Sequence, residues 1–313
     1  MSLTGMLKSK DSKSIELKRI IKSVLPKKNE FYTLSGLDAF NNQALPVSPY
    51  NKQNLKFAAI TGTAIELIAK YYIGRNTKFK HKKWEARTTG LASSGLEFLQ
   101  DTLTSREFNL IYEKYEERYA FIKDYVDDKS DNIDDLIISA VLSSKLENCV
   151  RSLRLPENPL LYFTEEVPKS VHDDLFSLFQ GFISTFVDND ILKNTTEIDF
   201  HPIFGRLSKA VGGADADLYI DGTLYDFKTS KNRGYEWQEI AQLIGYSLFS
   251  DISSDIFELD LPGYTNEFPY KVNRIAFYRT RFNEIEYFNI EEIPLNKWQV
   301  AKSEVKGLFN IKY

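Results

Sequence analysis

The chain has 313 residues, of which 42% are hydrophobic and 14% aromatic. This composition excludes an intrinsically disordered chain and allows one large domain or two ordinary ones. The net charge of −4 excludes a uniformly basic surface for nucleic acid. Any contact with phosphates must therefore come from a local basic patch or through a metal ion.

Cysteine and histidine are too few for the common soft-metal sites. Cys149 is the single cysteine, which excludes disulfides and a thiolate zinc site. The three histidines, His81, His172 and His201, form no ligand pair at helical spacing. The sequence has no apolar run of membrane-spanning length and no secretory core near its start, so we expect a cytoplasmic protein without membrane contacts.

The N-terminal segment, residues 1–52, is predicted to be a basic helix followed by a connector. Apolar residues at helical spacing predict a helix over Ser12–Leu25, which Pro26 ends. Its lysines are compatible with a DNA-contacting arm, but a simply solvated helix is the interpretation we favour. Residues 26–52, with several prolines and asparagines, indicate an extended connector.

A second helix is predicted over Phe57–Tyr72, with Glu66 beside its apolar stripe. Two interpretations of Glu66 stay open on the residues alone. It is either a functional carboxylate or the second half of a capping box, in which Thr63 caps the helix and Glu66 reaches back to the cap amide.

Basic residues interleaved with aromatic ones follow this helix. Such a pattern suits a nucleic acid strand, because cations take the phosphates and rings stack on bases; a solvated charged face is the alternative. The residues predicted to bind nucleic acid here are Lys78, Lys80, Lys82 and Lys83.

Residues 93–155 and Val171–Leu192 show apolar repeats at three- and four-residue steps. These repeats indicate helix packing rather than a cofactor site. We therefore expect a helical insertion at about 91–193 within a single domain that spans 53–313.

The most informative stretch is a predicted hairpin after a strand at Thr196–Phe204. Asp221-Gly222 between alternating apolar residues is typical of a type I′ turn. Counting outward, the turn pairs Ile220 with Thr223, Tyr219 with Leu224, Leu218 with Tyr225, Asp217 with Asp226, Ala216 with Phe227, and Asp215 with Lys228.

This register places Asp215, Asp217, Asp226 and Lys228 at one end of one face, with a core face of Ala216, Leu218, Ile220, Thr223, Tyr225 and Phe227 opposite. Two directly opposed aspartates repel unless a cation lies between them. Hard oxygen ligands of this kind suit Mg²⁺, and a neighbouring ammonium suits phosphate chemistry. A solvated strand end is the ordinary alternative.

A further helix, Tyr235–Phe249, carries Gln242 and Tyr246 one turn apart, and Gly245 suggests a close approach to the sheet. Strands at Asn273–Arg281 and Glu284–Ile290 and a helix at Leu295–Phe309 complete an α/β pattern.

Asp217, the run Asp226-Phe227-Lys228 and the Gln242-to-Tyr246 helix resemble the PD-(D/E)xK nuclease superfamily, especially its RecB-like branch. The match extends to Gly62-Thr63-Ala64-Ile65-Glu66 and covers about 110 residues. The resemblance implies a restriction-endonuclease-like core with a mixed central sheet flanked by helices. It also implies Glu66, Asp217 and Asp226 as ligands of Mg²⁺ or Mn²⁺, with Lys228 and Gln242 as further catalytic residues. Asp215 is either a second ligand or the ion-pair partner of Lys228.

The expected function is that of a metal-dependent nuclease that hydrolyses DNA phosphodiester bonds, in anti-phage defence or DNA repair. Lys231 and Tyr246 are further candidates for nucleic-acid contact, and a helicase or ATPase is a candidate partner. The rival hypothesis is a nuclease fold that serves as a DNA-binding or assembly subunit whose activity is absent or gated by a partner.

Overall fold

The structure, a computed structural model, describes residues 2–48, 52–77, 83–259 and 267–311. The helices are α1 (Leu3–Lys8), α2 (Ser12–Ser23), α3 (Ala58–Asn76), α4 (Lys83–Thr102), α5 (Ser105–Val126), α6 (Ile133–Ser152), α7 (Pro159–Thr164), α8 (Lys169–Phe186), α9 (Gly205–Ala210), α10 (Trp237–Glu258) and α11 (Leu295–Leu308). The strands are β1 (Tyr32–Thr33), β2 (Ile198–Phe200), β3 (Leu218–Ile220), β4 (Thr223–Lys228), β5 (Arg274–Arg279) and β6 (Glu284–Asn289).

The strands form one sheet of six, in the order β1-β6-β5-β4-β3-β2. Only the β4–β5 pair is parallel among these strands, and α10 makes the crossover between them. Parallel neighbours need such a crossover, whereas antiparallel neighbours can be joined by short turns. The sheet is therefore mixed, and the predicted α/β class is confirmed.

Both faces of the sheet are covered, because alternate residues of its central strands enter two different cores. Leu224 and Phe277 enter the core built with α1, α2, α10 and α11. Tyr225 and Tyr278 enter the core built with α3, α6 and α8. Strands buried on both faces carry apolar residues at successive positions, which is why β4 reads Thr-Leu-Tyr before its first charge.

The hairpin register near the turn is confirmed. Asp221 and Gly222 have φ of 43° and 82°, as a type I′ turn requires, and the ladder pairs Leu218 with Tyr225. Beyond that pair the chain departs from the prediction. Residues 215–217 run beside 201–203 instead, with Ala216 N donating to Pro202 O at 3.1 Å and an isolated bridge between Asp215 and Ile203.

This departure also moves Ala216 to the other side of the sheet. The predicted core face placed Ala216 with Leu218, but Ala216 enters the core of α10 and Leu218 enters the core of α3. The strand alternation breaks between these residues because the pairing partner changes from β4 to the segment after β2.

The predicted helical block consists of α4 to α8. It is not separate from the sheet, since α6 and α8 supply Leu136, Phe182 and Phe186 to the core on the α3 face. A smaller apolar cluster joins α4, α5, α6 and α7. Within the described ranges, none of the helices combines the length and apolar character that a bilayer span requires.

The N-terminal segment packs into the domain as well. The predicted helix over Ser12–Leu25 is α2, which buries Leu17 and Ile21 in the core of α10. The connector also contributes a strand, since β1 pairs with β6. Helix α1 was not predicted, because six residues are too few to show a helical period.

Gly245 faces the N-terminal helices rather than the sheet. A Cβ atom built there would lie 2.9 Å from Leu3 Cδ2 and 3.3 Å from Ile21 Cδ1. The predicted close approach is therefore real, but α1 and α2 make it.

We expect Gly222→Ala to destabilise the fold by about 1–2 kcal/mol, because an L-residue with φ of 82° is strained. The new methyl would also lie 2.9 Å from Asn273 Nδ2. The measurement is the free energy of unfolding in urea. Gly307→Ala is the control, since that helical glycine has open space around it and should tolerate or favour the change. Equal stability of the two variants would contradict the turn assignment.

Candidate active site

Asp217, the residue directly before β3, reaches β4 through a side-chain hydrogen bond. Asp217 Oδ2 accepts from the backbone N–H of Phe227 at 2.7 Å. The regular β3–β4 pairing ends at Leu218 and Tyr225. The Asp217 carboxylate then accepts the N–H of Phe227 in place of a backbone carbonyl oxygen. Phe227 lies between Asp226 and Lys228 in the chain, so this bond places Asp217 near both of these residues. The predicted strand pairing of Asp217 with Asp226, however, is not formed.

Lys228 is paired with Asp226 rather than with Asp215. Its Nζ lies 2.7 Å from Asp226 Oδ2 and 3.8 Å from Glu239 Oε1 of α10. Burial would lower the pKa of Lys228, but the charges of Asp226 and Glu239 raise it above its ordinary value. The ammonium therefore stays charged within a carboxylate environment.

Asp215 makes its ion pair elsewhere. Its Oδ2 lies 3.2 Å from Nε2 of His201, and this hydrogen bond lowers the pKa of Asp215. The predicted opposition of Asp215 and Lys228 fails because Asp215 follows the segment after β2 and not β4. His201 is brought to the site by that same segment and was not predicted to be there.

Glu66 lies in the middle of α3, so it is not part of a capping box. The helix begins at Ala58, five residues before Thr63, and Glu66 Oε1 lies 2.5 Å from Lys70 Nζ. Lys70 is only 3% exposed. Helix α3 is otherwise apolar on nearly all sides, so the ion pair with the partly exposed Glu66 supplies the partner that the buried Lys70 needs.

The charges of the cluster act on one another. Burial alone would raise the pKa of Glu66, but the charge and hydrogen bond of Lys70 lower it. The pKa of Asp217 is raised well above its ordinary value by burial first, and then by the charges of Glu66 and Asp226. Three carboxylates are therefore close enough to compete for positive charge at this point.

The donor set fits a hard divalent cation. It consists of carboxylate oxygens only, and Asp226 Oδ2 is buried without a hydrogen bond of normal geometry. Among the described residues, no group of three or more acidic, histidine or cysteine side chains is arranged to hold an ion. Lys70 and Lys228 are paired with oxygens of Glu66 and Asp226.

Helix α6 adds Glu147 to the far side of Glu66. Glu147 is 4% exposed, and its pKa is raised to about 7 by burial and by the charge of Glu66, against the weaker effect of Arg151. The apolar repeats of α6 indicated helix packing only, and this carboxylate was not predicted. The signal that would have found it is the row of residues 139–147, where charged and hydroxyl side chains alternate with apolar ones in a helix buried on all sides.

Helix α10 places three polar residues under the strand ends. Gln242 Nε2 donates to the hydroxyl of Tyr246 at 2.7 Å. Tyr246 is 3% exposed and its ring stacks on Phe204, so it supports Gln242 from below and is not on the surface where nucleic acid was predicted to contact it. Glu239, in the first turn of the helix, was missed because a single acidic residue there is typical of any helix start.

Glu239 also joins the site to a buried charge network. Glu239 Oε2 lies 3.5 Å from Arg279 Nη1. Arg279 Nε in turn donates to Glu286 Oε2 at 2.7 Å. The other oxygen, Glu286 Oε1, accepts from Arg233 Nε at 2.7 Å and from the backbone N–H of Phe40 at 2.6 Å. The network therefore connects Lys228 to the N-terminal segment.

The predicted nucleic-acid contacts divide into two groups. Lys231 is exposed and lines a cleft of about 510 Å³ together with Glu66. Lys78, Lys80 and Lys82 lie outside the described residues, as does the side chain of Lys83 at the start of α4. Their prediction stands as it was made from the sequence.

Comparison with known proteins identifies no relative. No family model matches the chain, and neither the curated proteins nor the solved structures give a significant match.

We expect Glu147→Gln to change how stability depends on pH. The folded wild type holds a proton on Glu147 with a pKa of about 7, whereas the ordinary value is 4.5. This contribution to stability is complete below about pH 4.5 and is lost as the pH rises through about 7. The glutamine variant has no such loss. The free energy of unfolding of the variant relative to wild type should thus rise by on the order of 2–3 kcal/mol from pH 4.5 to pH 8.

The measurement is urea unfolding at several pH values. Glu113→Gln, at an exposed position of α5, is the matched control and should give a constant difference from wild type. A constant difference for Glu147→Gln as well would show that folding does not raise the pKa of Glu147.

Proposed function

We propose that this protein is a metal-dependent nuclease that hydrolyses DNA phosphodiester bonds. The observation that carries the proposal is the convergence of Asp217 and Asp226 through the Phe227 N–H bond, beside the ammonium of Lys228. Glu66 is close enough for its charge to raise the pKa of Asp217, and it is the third carboxylate of the proposed donor set. Folding alone is served better by apolar groups than by a buried Asp226 carboxylate with two further carboxylates near it.

The residues have distinct roles in this proposal. Glu66, Asp217 and Asp226 would hold Mg²⁺ or Mn²⁺, which supplies Lewis-acid polarisation of the phosphate and lowers the pKa of a bound water. Lys228 stabilises the negative charge that develops on the phosphate oxygens in the transition state. Gln242, held by the Tyr246 hydroxyl, orients the attacking water through its amide.

A DNA-binding or assembly subunit without activity is the second candidate. The pairing of Glu66 with Lys70, and of Asp226 with Lys228, favours it, because the two ammonium groups already neutralise the carboxylates. Roles in anti-phage defence or DNA repair, and a helicase or ATPase as partner, rest on the resemblance to RecB-like nucleases alone.

The first test is cleavage of linear and circular DNA in Mg²⁺ or Mn²⁺. Asp226→Asn should reduce the rate by about 10²–10³-fold, because it removes a charged ligand of the proposed ion. Asp101→Asn, at an exposed position of α4, is the control and should cleave as wild type. EDTA should abolish cleavage. Tight DNA binding by wild type without cleavage in either metal favours the second candidate, and cleavage of an RNA strand in preference to DNA would change the substrate.

A second test concerns Glu239, which we propose as a positioning residue for Lys228. Its carboxylate lies 3.8 Å from the Lys228 ammonium and its charge raises the pKa of Lys228, so Glu239→Gln should weaken the hold on that ammonium. We expect kcat to fall by about tenfold with little change in KM, since the effect is on transition-state charge.

Glu236→Gln is the matched control, because Glu236 is exposed at the N-cap of the same helix. It should leave kcat as it is in wild type. A kcat of Glu239→Gln equal to that of wild type would remove Glu239 from the proposed role.

A further inference from the structure

The N-terminal helices carry a concentration of positive charge outside the proposed active site. Residues 1–28 contain eight lysine or arginine side chains and two acidic ones, so their net charge is +6. Because the whole chain has a net charge of −4, the remaining residues carry −10. A positive segment on an otherwise acidic protein creates a local field that attracts polyanions.

Six lysines of this segment are exposed, and none of them forms an ion pair within the part of the chain that the structure describes. We call them the basic face: Lys8, Lys10, Lys13, Lys22, Lys27 and Lys28. By contrast, Arg19 of α2 pairs with Glu16 and with Glu304, at 2.8 Å in each case. The lysines of the basic face have no such carboxylate beside them, so their charge is not cancelled locally.

The docking of α1 and α2 fixes the position of these lysines. Leu3 of α1, together with Leu17 and Ile21 of α2, lies in the core of α10. Ile15 is the single large apolar side chain of α2 that is exposed. A helix that lies on a membrane keeps a continuous apolar face for the lipid, whereas α2 uses its apolar face for the core. The basic face therefore suits a hydrated polyanion rather than a bilayer.

Both ends of the helical pair adjoin elements of the proposed active site. At the start of α1, the N–H of Leu3 donates to the carbonyl oxygen of Gly213 at 2.8 Å, in the segment that leads to Asp217. Near the end of α2, Lys22 Nζ lies 4.4 Å from the centre of the Trp237 ring, at the first residue of α10. The basic face is thus continuous with the surface around the carboxylates.

We propose that the basic face binds the phosphate backbone of DNA on one side of the scissile bond. This inference rests on the proposed nuclease function. Phosphate contacts position a protein on DNA without reading its sequence, and lysines are sufficient for them. A protein with a net charge of −4 needs such local cations, because the rest of its surface repels DNA. An acidic protein has matching charge as well, but the position of the face beside Asp217 favours DNA.

The test is binding of a fluorescein-labelled DNA duplex, measured by anisotropy over a series of salt concentrations. EDTA is present, so that no divalent ion links the DNA to the carboxylates. The combined variant Lys8→Gln, Lys10→Gln and Lys22→Gln should bind at least about tenfold more weakly at low salt. The slope of log affinity against log salt should fall by about 2.7, which corresponds to three lost phosphate contacts. The same three positions changed to arginine should keep the wild-type slope, since the charge is retained.

The matched control removes three exposed lysines of the helical block, in the combined variant Lys129→Gln, Lys169→Gln and Lys193→Gln. It changes the net charge by the same amount, but each of these lysines is paired with an aspartate. We expect the wild-type salt slope. All of these substitutions are at exposed positions, so thermal unfolding should stay close to that of wild type.

An unchanged salt slope in the Lys8, Lys10 and Lys22 glutamine variant, or an equal loss in the control, would overturn the assignment. Binding of polyglutamate but not of DNA by wild type would also overturn it and would assign the face to an acidic protein. The outcome is separate from that of the nuclease proposal. Asp226→Asn, which should lose cleavage, should bind with the wild-type salt slope, and cleavage by wild type can persist if the basic face proves unnecessary for binding.

Discussion

The compensation of buried negative charge is the constraint on which the rest of this structure depends. Asp217 is held next to the strand residue Asp226 by its hydrogen bond to the N–H of Phe227, and Glu66 of α3 raises the pKa of Asp217. Buried carboxylates raise one another's pKa unless a cation is present. The protein supplies two ammonium groups, on Lys70 and Lys228, each bonded to one carboxylate.

This constraint explains why the helical block belongs to the domain. Lys70 is buried because α3 is enclosed, and α6 and α8 enclose it by sharing its apolar core. The same packing brings Glu147 next to Glu66 and raises its pKa to about 7. Helices α4 to α8, which lie in the chain between Glu66 and Asp217, therefore add a charged group to the site and also shield it from solvent.

On the other face, a chain of ion pairs extends the site to the first part of the sequence. Lys228 leads through Glu239, Arg279 and Glu286 to the backbone of Phe40. Groups that are so deeply buried need partners, and removing one leaves another unpaired at a cost of about 3–5 kcal/mol. The position of the Lys228 ammonium is thus tied to the docking of the N-terminal segment, which in the sequence resembles a mere connector.

The sequence by itself determined the local features. The Asp221-Gly222 turn, the register beside it, the strand ending in Asp226 and Lys228, and the apolar stripes of the helices follow from dihedral preference and period, which are properties of neighbouring residues. Only the tertiary structure decided where the strand pairing stops, that Asp215 turns to His201, and that Glu66 is a mid-helix residue bound to Lys70. It also decided that Glu147, Glu239 and the cleft beside Glu66 join the site. Those outcomes depend on contacts between residues far apart in the chain, and no local pattern encodes which distant charges will meet.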